Sequence, residues 1–426
     1  YHMTGGSISG NSARGGVGGG VCVVDAGLQQ GNAEQNTAFV MDDGTISNNS
    51  ANYGGGIYSY TNGVTLNGGE ITGNRALSTG GGVYSEGNFE HYGTIHVNNA
   101  LVTNNTAVQG GGLYFCATGS GVISSTDGMA VYGNTAVDGT DMDAAGDDVV
   151  FTKGANDDYL LKLDTRLLGG GAVRWVTDGG VYLSSTGLSV HPTTSDAPRY
   201  DASSPVDISA EELSSGLKNC YAIKAVVGEG SAAQAEKEAQ LVITGNTAVR
   251  GGGIGSNGGV VSGTDDKTKI AVSKVWDDEG DKDGIRPSLV TVHLFNGENE
   301  IDSMTLSADN DWTGVFENLP LGGDYSVAED VPAGYELSVS GSASEGFVLT
   351  NAHVPEDPED PEDPEDPEEP GGPDNPGDPE EPDTPAGSED PVIPETGDAS
   401  CVGVLLASGG GIAALVVGTA LRRRSA

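Results

Sequence analysis

The sequence predicts an all-β protein: a right-handed parallel β-helix, then a β-sandwich, an extended stalk and a C-terminal transmembrane helix. Two observations indicate the β class. Glycine occurs 69 times while only 6% of residues are aromatic, and a short apolar repeat recurs through the first 262 residues, as in solenoids. The residue composition and pattern then change three times along the chain. We therefore expect domains at 1–263, 264–353, 354–392 and 393–426.

The first domain is defined by the repeat Ile/Val-x-x-Asn-x-Ala. Its asparagines are Asn11, Asn49, Asn74, Asn105, Asn134 and Asn246. Gly-Gly-Gly-apolar units usually follow, beginning at Gly18, Gly54, Gly80, Gly110 and Gly251. The segments are short, β-branched and alternating, which is typical of strands, and the glycines allow tight corners. We predict stacked coils in which each asparagine amide bonds the next coil and inward Ile, Val and Ala fill the core. The motifs resemble bacterial surface β-helix proteins of the pectin-lyase-like class.

Residues 138–240 interrupt this repeat, and we expect further coils with a long insertion there. An acidic cluster opens the segment: Asp138, Asp141, Asp143, Asp147 and Asp148. Calcium would suit several carboxylates, but further ligands in register and a late Glu are missing, which favours a solvated loop. Four aromatic residues suggest a glycan platform, although core and corner packing is favoured: Trp175, Tyr182, Tyr200 and Tyr221. No metal or cofactor is predicted.

The second domain has the strand spacing of a β-sandwich, with short predicted strands at short intervals and turn residues between them. The predicted strands are 270–276, 290–294, 302–306, 313–316, 325–329 and 346–351. Its motifs occur in the order Lys274-Val275-Trp276-Asp277-Asp278, Ile285-Arg286-Pro287, Asn310-Asp311-Trp312, Asn318-Leu319-Pro320, Tyr325 to Glu329 with Gly334-Tyr335, and Leu349-Thr350-Asn351. Together they resemble the immunoglobulin-like Cna protein B-type domain of Gram-positive adhesins and pilins.

That resemblance implies an intramolecular isopeptide bond. In the family a first-strand Lys joins a last-strand Asn with the help of a Glu, and the matching positions here are Lys274, Asn351 and Glu329. Burial lowers the pKa of a Lys and raises that of a Glu, so the amine becomes a nucleophile and the acid a proton shuttle. The alternative is an ordinary surface Lys and an unlinked Asn. The cross-link is self-modification and does not make the protein an enzyme.

The third segment, 354–392, carries a proline at every third position from Pro355 to Pro385, and acids fill most of the other two positions. Polyproline II has three residues per turn and rises about 3.1 Å per residue, so this stalk would extend on the order of 100 Å. A spacer through peptidoglycan is favoured over a ligand for a proline-binding domain.

The C-terminal segment resembles the cell-wall sorting signal of Gram-positive surface proteins. Its parts are the pentapeptide Ile393-Pro394-Glu395-Thr396-Gly397, an apolar span at 401–421 and the basic tail Arg422-Arg423-Arg424. The family pattern is LPxTG, and Ile393 replaces the usual Leu, which leaves the sortase class open. The resemblance implies that a sortase cuts between Thr396 and Gly397 and links Thr396 to peptidoglycan, so that the membrane span is transient. A permanent membrane anchor is the alternative.

Composition agrees with an exported surface protein. The formal net charge is -43, which disfavours nucleic acid and anionic lipid as partners. The beginning of the chain shows no export signal, so we expect the true N-terminus to lie upstream. A disulfide among Cys22, Cys116 and Cys220 is left open, while buried apolar cysteines are favoured.

The expected protein is a wall-anchored adhesin with an unknown host or glycan ligand. A wall-displayed polysaccharide lyase or hydrolase and a minor pilin are the alternatives.

Overall fold

The computed structural model describes residues 1–24, 37–60, 63–88, 91–140, 142–152, 159–181, 192–193 and 198–354. They fall within one compact unit, Tyr1–Pro358, and are predominantly β, as predicted. Within this part of the chain no helix is both long and apolar enough to cross a membrane. The predicted stalk, sorting motif and span lie outside the described residues.

The strands of the repeats form two large sheets, the first entirely parallel. The first contains, in spatial order, Met129–Val131, Ala100–Thr103, Leu241–Thr244, Gly69–Thr72, Thr37–Ser47, Gly63–Leu66, Thr94–Val97, Gly259–Ser262, Ser120–Ile123 and Leu161–Leu163, with His2–Ser9 beside Thr37–Ser47. The second contains Val21–Val24, Ile57–Tyr60, Val83–Asn88, Ile254–Ser256, Leu113–Phe115, Val149–Phe151, Tyr221–Val227 and Val173–Thr177, with His91–Tyr92 beside Val83–Asn88. Short pairs join Ser50–Tyr53 to Arg75–Thr79, Thr106–Ala107 to Thr135–Ala136, and Gly180–Val181 to Pro192–Thr193.

The last repeat does not stack at the end of the array. Residues 241–262, which we call the intercalated segment, lie between two repeats that come much earlier in the chain. Leu241–Thr244 pairs in parallel with Gly69–Thr72 on one side and Ala100–Thr103 on the other. The other two strands of the segment are enclosed in the same way. The order of the repeats in the stack therefore differs at this point from their order along the chain.

The asparagine side chains show the same order. Asn74 donates its backbone N–H and its Nδ2–H to Asn246 Oδ1 at 2.9 and 3.0 Å. Asn246 in turn donates to Asn105 Oδ1 at 3.0 and 2.9 Å. The complete ladder runs through Asn11, Asn49, Asn74, Asn246, Asn105, Asn134 and Asp148. Each buried amide satisfies backbone and side-chain donors together, so the ladder specifies the register of the stack.

Asp148 ends the ladder because a carboxylate only accepts hydrogen bonds there. Its Oδ1 accepts two bonds from Asn134, and its Oδ2 accepts the backbone N–H of Ala225 at 2.8 Å. Complete burial raises the pKa of Asp148 to about 6, against the lowering effect of these donors. The end of the ladder is thus a desolvated acid that the surrounding N–H groups hold in place.

The glycine triplets are sterically required where neighbouring repeats approach. A Cβ added to Gly252 would lie 2.5 Å from the carbonyl oxygen of Gly111, and one added to Gly81 would lie 2.3 Å from that of Gly252. Gly251 also has a φ of +62°. The triplet therefore supplies both a residue in the left-handed backbone conformation and the close backbone contact between repeats.

The remaining elements lie in the interrupted region and in the second domain. Two α-helices, Ala210–Ser215 and Glu229–Glu238, lie in the interrupted region, with 3₁₀ turns at Leu168–Gly170 and Ala308–Asn310. The second domain contains a four-stranded sheet of Thr313–Pro320, Lys267–Asp277, Gly346–His353 and Tyr335–Ser342, and a three-stranded sheet of Asn299–Ser307, Leu289–Asn296 and Tyr325–Glu329. Its apolar core is separate from that of the repeats. We call this β-sandwich, 267–353, the sandwich domain.

The sandwich domain is docked on the interrupted region by several polar contacts. Arg166 is 7% exposed and bonds Asp302 at 2.7 Å as well as the carbonyl oxygens of Gly170 and Glu317. The backbone N–H of Ala172 donates to Ile301 O at 2.9 Å. A buried guanidinium with two partners in the sandwich domain and one in its own region fixes how the two parts pack.

Candidate cross-link site

Three predicted residues meet inside the sandwich domain. Lys274 lies on Lys267–Asp277, and Asn351 lies on Gly346–His353, which pairs with it in parallel. Glu329 ends Tyr325–Glu329 in the opposite sheet. Lys274 Nζ is 3.4 Å from Glu329 Oε2, and Asn351 Nδ2 is 2.6 Å from Glu329 Oε1. Both charged side chains have 0% exposure, so a single carboxyl group bridges the amine and the amide in a dry space.

Burial shifts both ionisable groups towards their neutral forms. Desolvation lowers the pKa of Lys274 more than the nearby Glu329 raises it. Desolvation likewise raises the pKa of Glu329 more than Asn351 and Lys274 lower it. Asn351 Oδ1 is buried and has no hydrogen-bond partner among the described residues. Both shifts favour the pairing of a neutral amine with a protonated acid beside an amide, which is the set of groups that amide exchange requires.

An aromatic and charged layer lies over the amine. Lys274 Nζ is 4.5 Å from the centroid of the Trp276 ring, and the Arg286 guanidinium is 5.3 Å from it. Arg286 and the Tyr335 hydroxyl both donate to Asp278. These contacts hold Trp276 across the site and exclude water from it.

Replacing the bridging acid should expose the titration of the amine. In Glu329→Gln the proton shuttle is lost, and Lys274 remains a buried free amine. Because the pKa of Lys274 is lowered in the folded state, the unfolded chain binds the proton more tightly. The free energy of unfolding therefore falls as the pH drops from the unfolded Lys pKa of about 10.4 to the lowered pKa of the folded state. We expect the melting temperature of this variant to rise between neutral pH and about pH 9. The exposed Glu336→Gln substitution is the control. An equal pH dependence in both variants would contradict this account.

One member of the acidic cluster, Asp147, is engaged in ion pairs. Arg199 pairs with Asp147 and Asp178, and Lys224 Nζ is 2.7 Å from Asp147. Burial raises the pKa of Asp178, but the Arg199 and backbone donors lower it further, so it lies below its usual range. The predicted solvated loop is therefore wrong for Asp148, which is buried in the ladder, and for Asp147, which is ion-paired, whereas Asp138 and Asp143 are exposed as expected.

The proposed aromatic platform does not form one surface. Trp175 is 3% exposed and donates its indole N–H to Asp164 O at 2.7 Å, which makes it a core residue. Tyr200 and Tyr221 line a cavity of about 470 Å³, and Tyr182 lies outside the described residues.

The expectation that the cysteines are buried holds for Cys220 but is wrong for Cys22, which is exposed.

Sequence reasoning missed several residues that the structure makes prominent. Arg166 and Arg250 occupy irregular positions in the chain, and no local pattern marks their partners. The one local signal at Arg250 is that neither of its sequence neighbours, Val249 and Gly251, is acidic, so it has no ion-pair partner next to it in the chain.

Comparison with known proteins identifies one domain. Residues 270–352 match the family described as Cna protein B-type domain, so the chain contains such a domain and the predicted resemblance is confirmed for this segment. The chain is 30% identical over 107 residues to the collagen adhesin of Staphylococcus aureus, a match that spans 23% of this chain and 9% of that protein.

Two solved structures were also similar. A single B repeat unit (B1) of the collagen-binding surface protein Cna of Staphylococcus aureus is 18% identical over 43% of this chain and 86% of its own, with a TM-score of 0.21. The pilus adhesin SpaC from Lactobacillus rhamnosus GG is 18% identical over 22% of this chain and 13% of its own, with a TM-score of 0.19.

Proposed function

We propose that this chain is a sortase-anchored adhesin of a Gram-positive cell wall, in which an isopeptide-stabilised B-type domain carries a displayed right-handed parallel β-helix. The observation that carries the proposal is the buried contact of Lys274 and Asn351 with Glu329. A covalent tie between the first and last strands suits a domain that transmits force between the wall and a bound surface. The parallel pairing of the repeats and their continuous ladder support the β-helix interpretation.

The cross-link forms by amide exchange. The neutral Nζ of Lys274 attacks Cγ of Asn351, and the Nζ–Cγ bond forms while the Cγ–Nδ2 bond breaks. Glu329 gives a proton to the departing nitrogen and receives one from Nζ, so that ammonia leaves and the acid ends in its starting state. A half-turn of the Asn351 amide places its Oδ1 against the protonated Glu329, which polarises the carbonyl.

Anchoring is the second part of the proposal. A sortase would cleave between Thr396 and Gly397 and transfer the Thr396 carbonyl to a peptidoglycan amine, and the stalk at 354–392 would span the wall. The mature protein would then be on the cell surface, and its membrane contact would be limited to the precursor.

Cell fractionation tests the anchoring. In a Gram-positive host with sortase, the full chain expressed behind an export signal should appear in the wall fraction and be released only by digestion of peptidoglycan. Thr396→Ala should shift it to the membrane fraction and the medium, because the acyl-transfer residue is changed. Thr384→Ala, in the stalk, is the matched control. Wall linkage that persists in Thr396→Ala would refute sorting at this motif.

The adhesin assignment and the enzyme alternative differ in their products. The purified chain should retain ligands from a panel of glycans and matrix proteins without releasing soluble fragments. Release of saccharide product would replace the adhesin proposal with a wall-displayed lyase or hydrolase.

A further inference from the structure

A groove of about 290 Å³ lies beside the second sheet of the repeats and belongs to none of the sites described above. Its walls include Tyr53, Tyr84, Glu86, Tyr114, Arg250 and Asn257. Tyr53 and Tyr84 are stacked with their ring centroids 5.6 Å apart. The volume lies at the lower end of ordinary ligand pockets, about 300–1,000 Å³, which suits one small ring rather than a long chain.

Two polar atoms on this groove lack partners. Arg250 Nε and Asn257 Oδ1 are both buried, and neither makes a hydrogen bond with a described residue. A buried unsatisfied donor or acceptor costs about 1–3 kcal/mol, so two of them lining one groove favour a ligand that can satisfy both. The first atom needs an acceptor and the second needs a donor.

Arg250 is also unusual in its electrostatic setting. Its guanidinium has no ion pair among the described residues and lies 5.8 Å from the Tyr114 ring centroid, with Nη2 against Met142 Sδ at 3.5 Å. The chain has 62 acidic and only 19 basic residues, yet no acid of the described part of the chain forms an ion pair with this cation. Across the groove, Glu86 accepts the Tyr58 hydroxyl at 2.7 Å.

We propose that this groove binds one neutral hexose residue of a glycan. Hydroxyl groups both donate and accept, so one sugar can satisfy Arg250 Nε and Asn257 Oδ1 together, while its C–H groups pack on tyrosine rings. Glu86 and the net charge of -43 disfavour an acidic sugar. This inference rests on the proposed adhesin function and names its ligand class and site.

The site exists only in the intercalated arrangement. Arg250 and Asn257 both belong to the intercalated segment, whereas Tyr84 and Tyr114 belong to the two repeats on either side of it. If these repeats stacked directly in chain order, both unpartnered polar atoms would be absent from the groove. Insertion of the last repeat therefore assembles the proposed sugar site.

Binding of defined sugars tests the inference. The purified full chain, immobilised on beads, is incubated with fluorescent polymers bearing glucose, galactose, mannose or N-acetylglucosamine, and with glucuronate or sialic acid polymers as the acidic arm. We expect retention of at least one neutral polymer and its competition by the free sugar. Arg250→Gln and Asn257→Ala should each weaken binding about tenfold or more, since each removes a buried hydrogen bond to the ligand.

Stability separates a binding role from a structural one. Asn257 Oδ1 has no partner to lose, so Asn257→Ala should leave the melting temperature unchanged or raised while it weakens binding. Arg75→Gln, an exposed arginine on a neighbouring repeat, is the matched control and should bind normally. The inference is overturned if no neutral polymer is retained, if both variants bind like the wild type, or if only acidic polymers depend on Arg250. If this site fails but the chain still retains matrix proteins or other glycans, the adhesin proposal stands without the sugar site. If the chain retains no ligand at all, the adhesin proposal and the sugar site are both refuted.

Discussion

Lys274→Met should have the mass calculated from its sequence and should unfold far more easily than the wild type. The wild-type mass should lie one ammonia below its calculated value. The cross-link closes nearly the whole sandwich domain into one loop, which by analogy with a disulfide contributes about 4.5 kcal/mol. For a domain of this size that corresponds to a loss of roughly 20 °C in melting temperature. Intact mass spectrometry and thermal unfolding of both proteins measure the effect.

The matched control is Lys282→Met, because Lys282 is an exposed lysine of the same domain whose side chain is 66% accessible. It should retain the ammonia deficit and the wild-type melting temperature. A wild-type protein of full calculated mass would show that Lys274 and Asn351 are not joined, and the tether would then rely on hydrogen bonds alone.

Asn246→Ala should destabilise the repeats by about 3 to 5 kcal/mol. The substitution leaves the backbone N–H of Asn74 and the carbonyl oxygen of Ile71 without their partner, and both lie in the interior of the ladder. Asn246 itself has 0% exposure, so water cannot replace the lost bonds. Chemical denaturation followed by tryptophan fluorescence, together with limited proteolysis of the intercalated segment, measures the loss.

Asn11→Ala provides the comparison, since Asn11 occupies the same motif position at the exposed end of the ladder. Its loss should be below about 1 kcal/mol, because solvent satisfies the freed groups. Equal losses in the two variants would mean that Asn246 is not enclosed between Asn74 and Asn105.

Much of the sandwich domain was predictable because its strands carry local signals. The alternation in Ile270 to Trp276 places apolar side chains on one face, and the corresponding strand runs Lys267–Asp277. The strand Tyr335–Ser342 was missed, since most of its side chains are exposed and the alternation is weak. The motif match also identified Lys274, Glu329 and Asn351, which the structure brings together although no local pattern measures their distances.

The amino-acid pattern alone indicated a β-rich repeat, its asparagine register and a B-type domain, because period, alternation and motif are local properties of the chain. The neighbours of each repeat were decided by the tertiary structure. Most repeats present the same asparagine followed by a glycine triplet, so more than one pairing of repeats keeps the same register. Asn246 therefore meets Asn74 and Asn105 across sequence separations of 172 and 141 residues. Docking through Arg166 and the groove around Arg250 likewise depend on contacts between distant segments, which sequence periodicity does not encode.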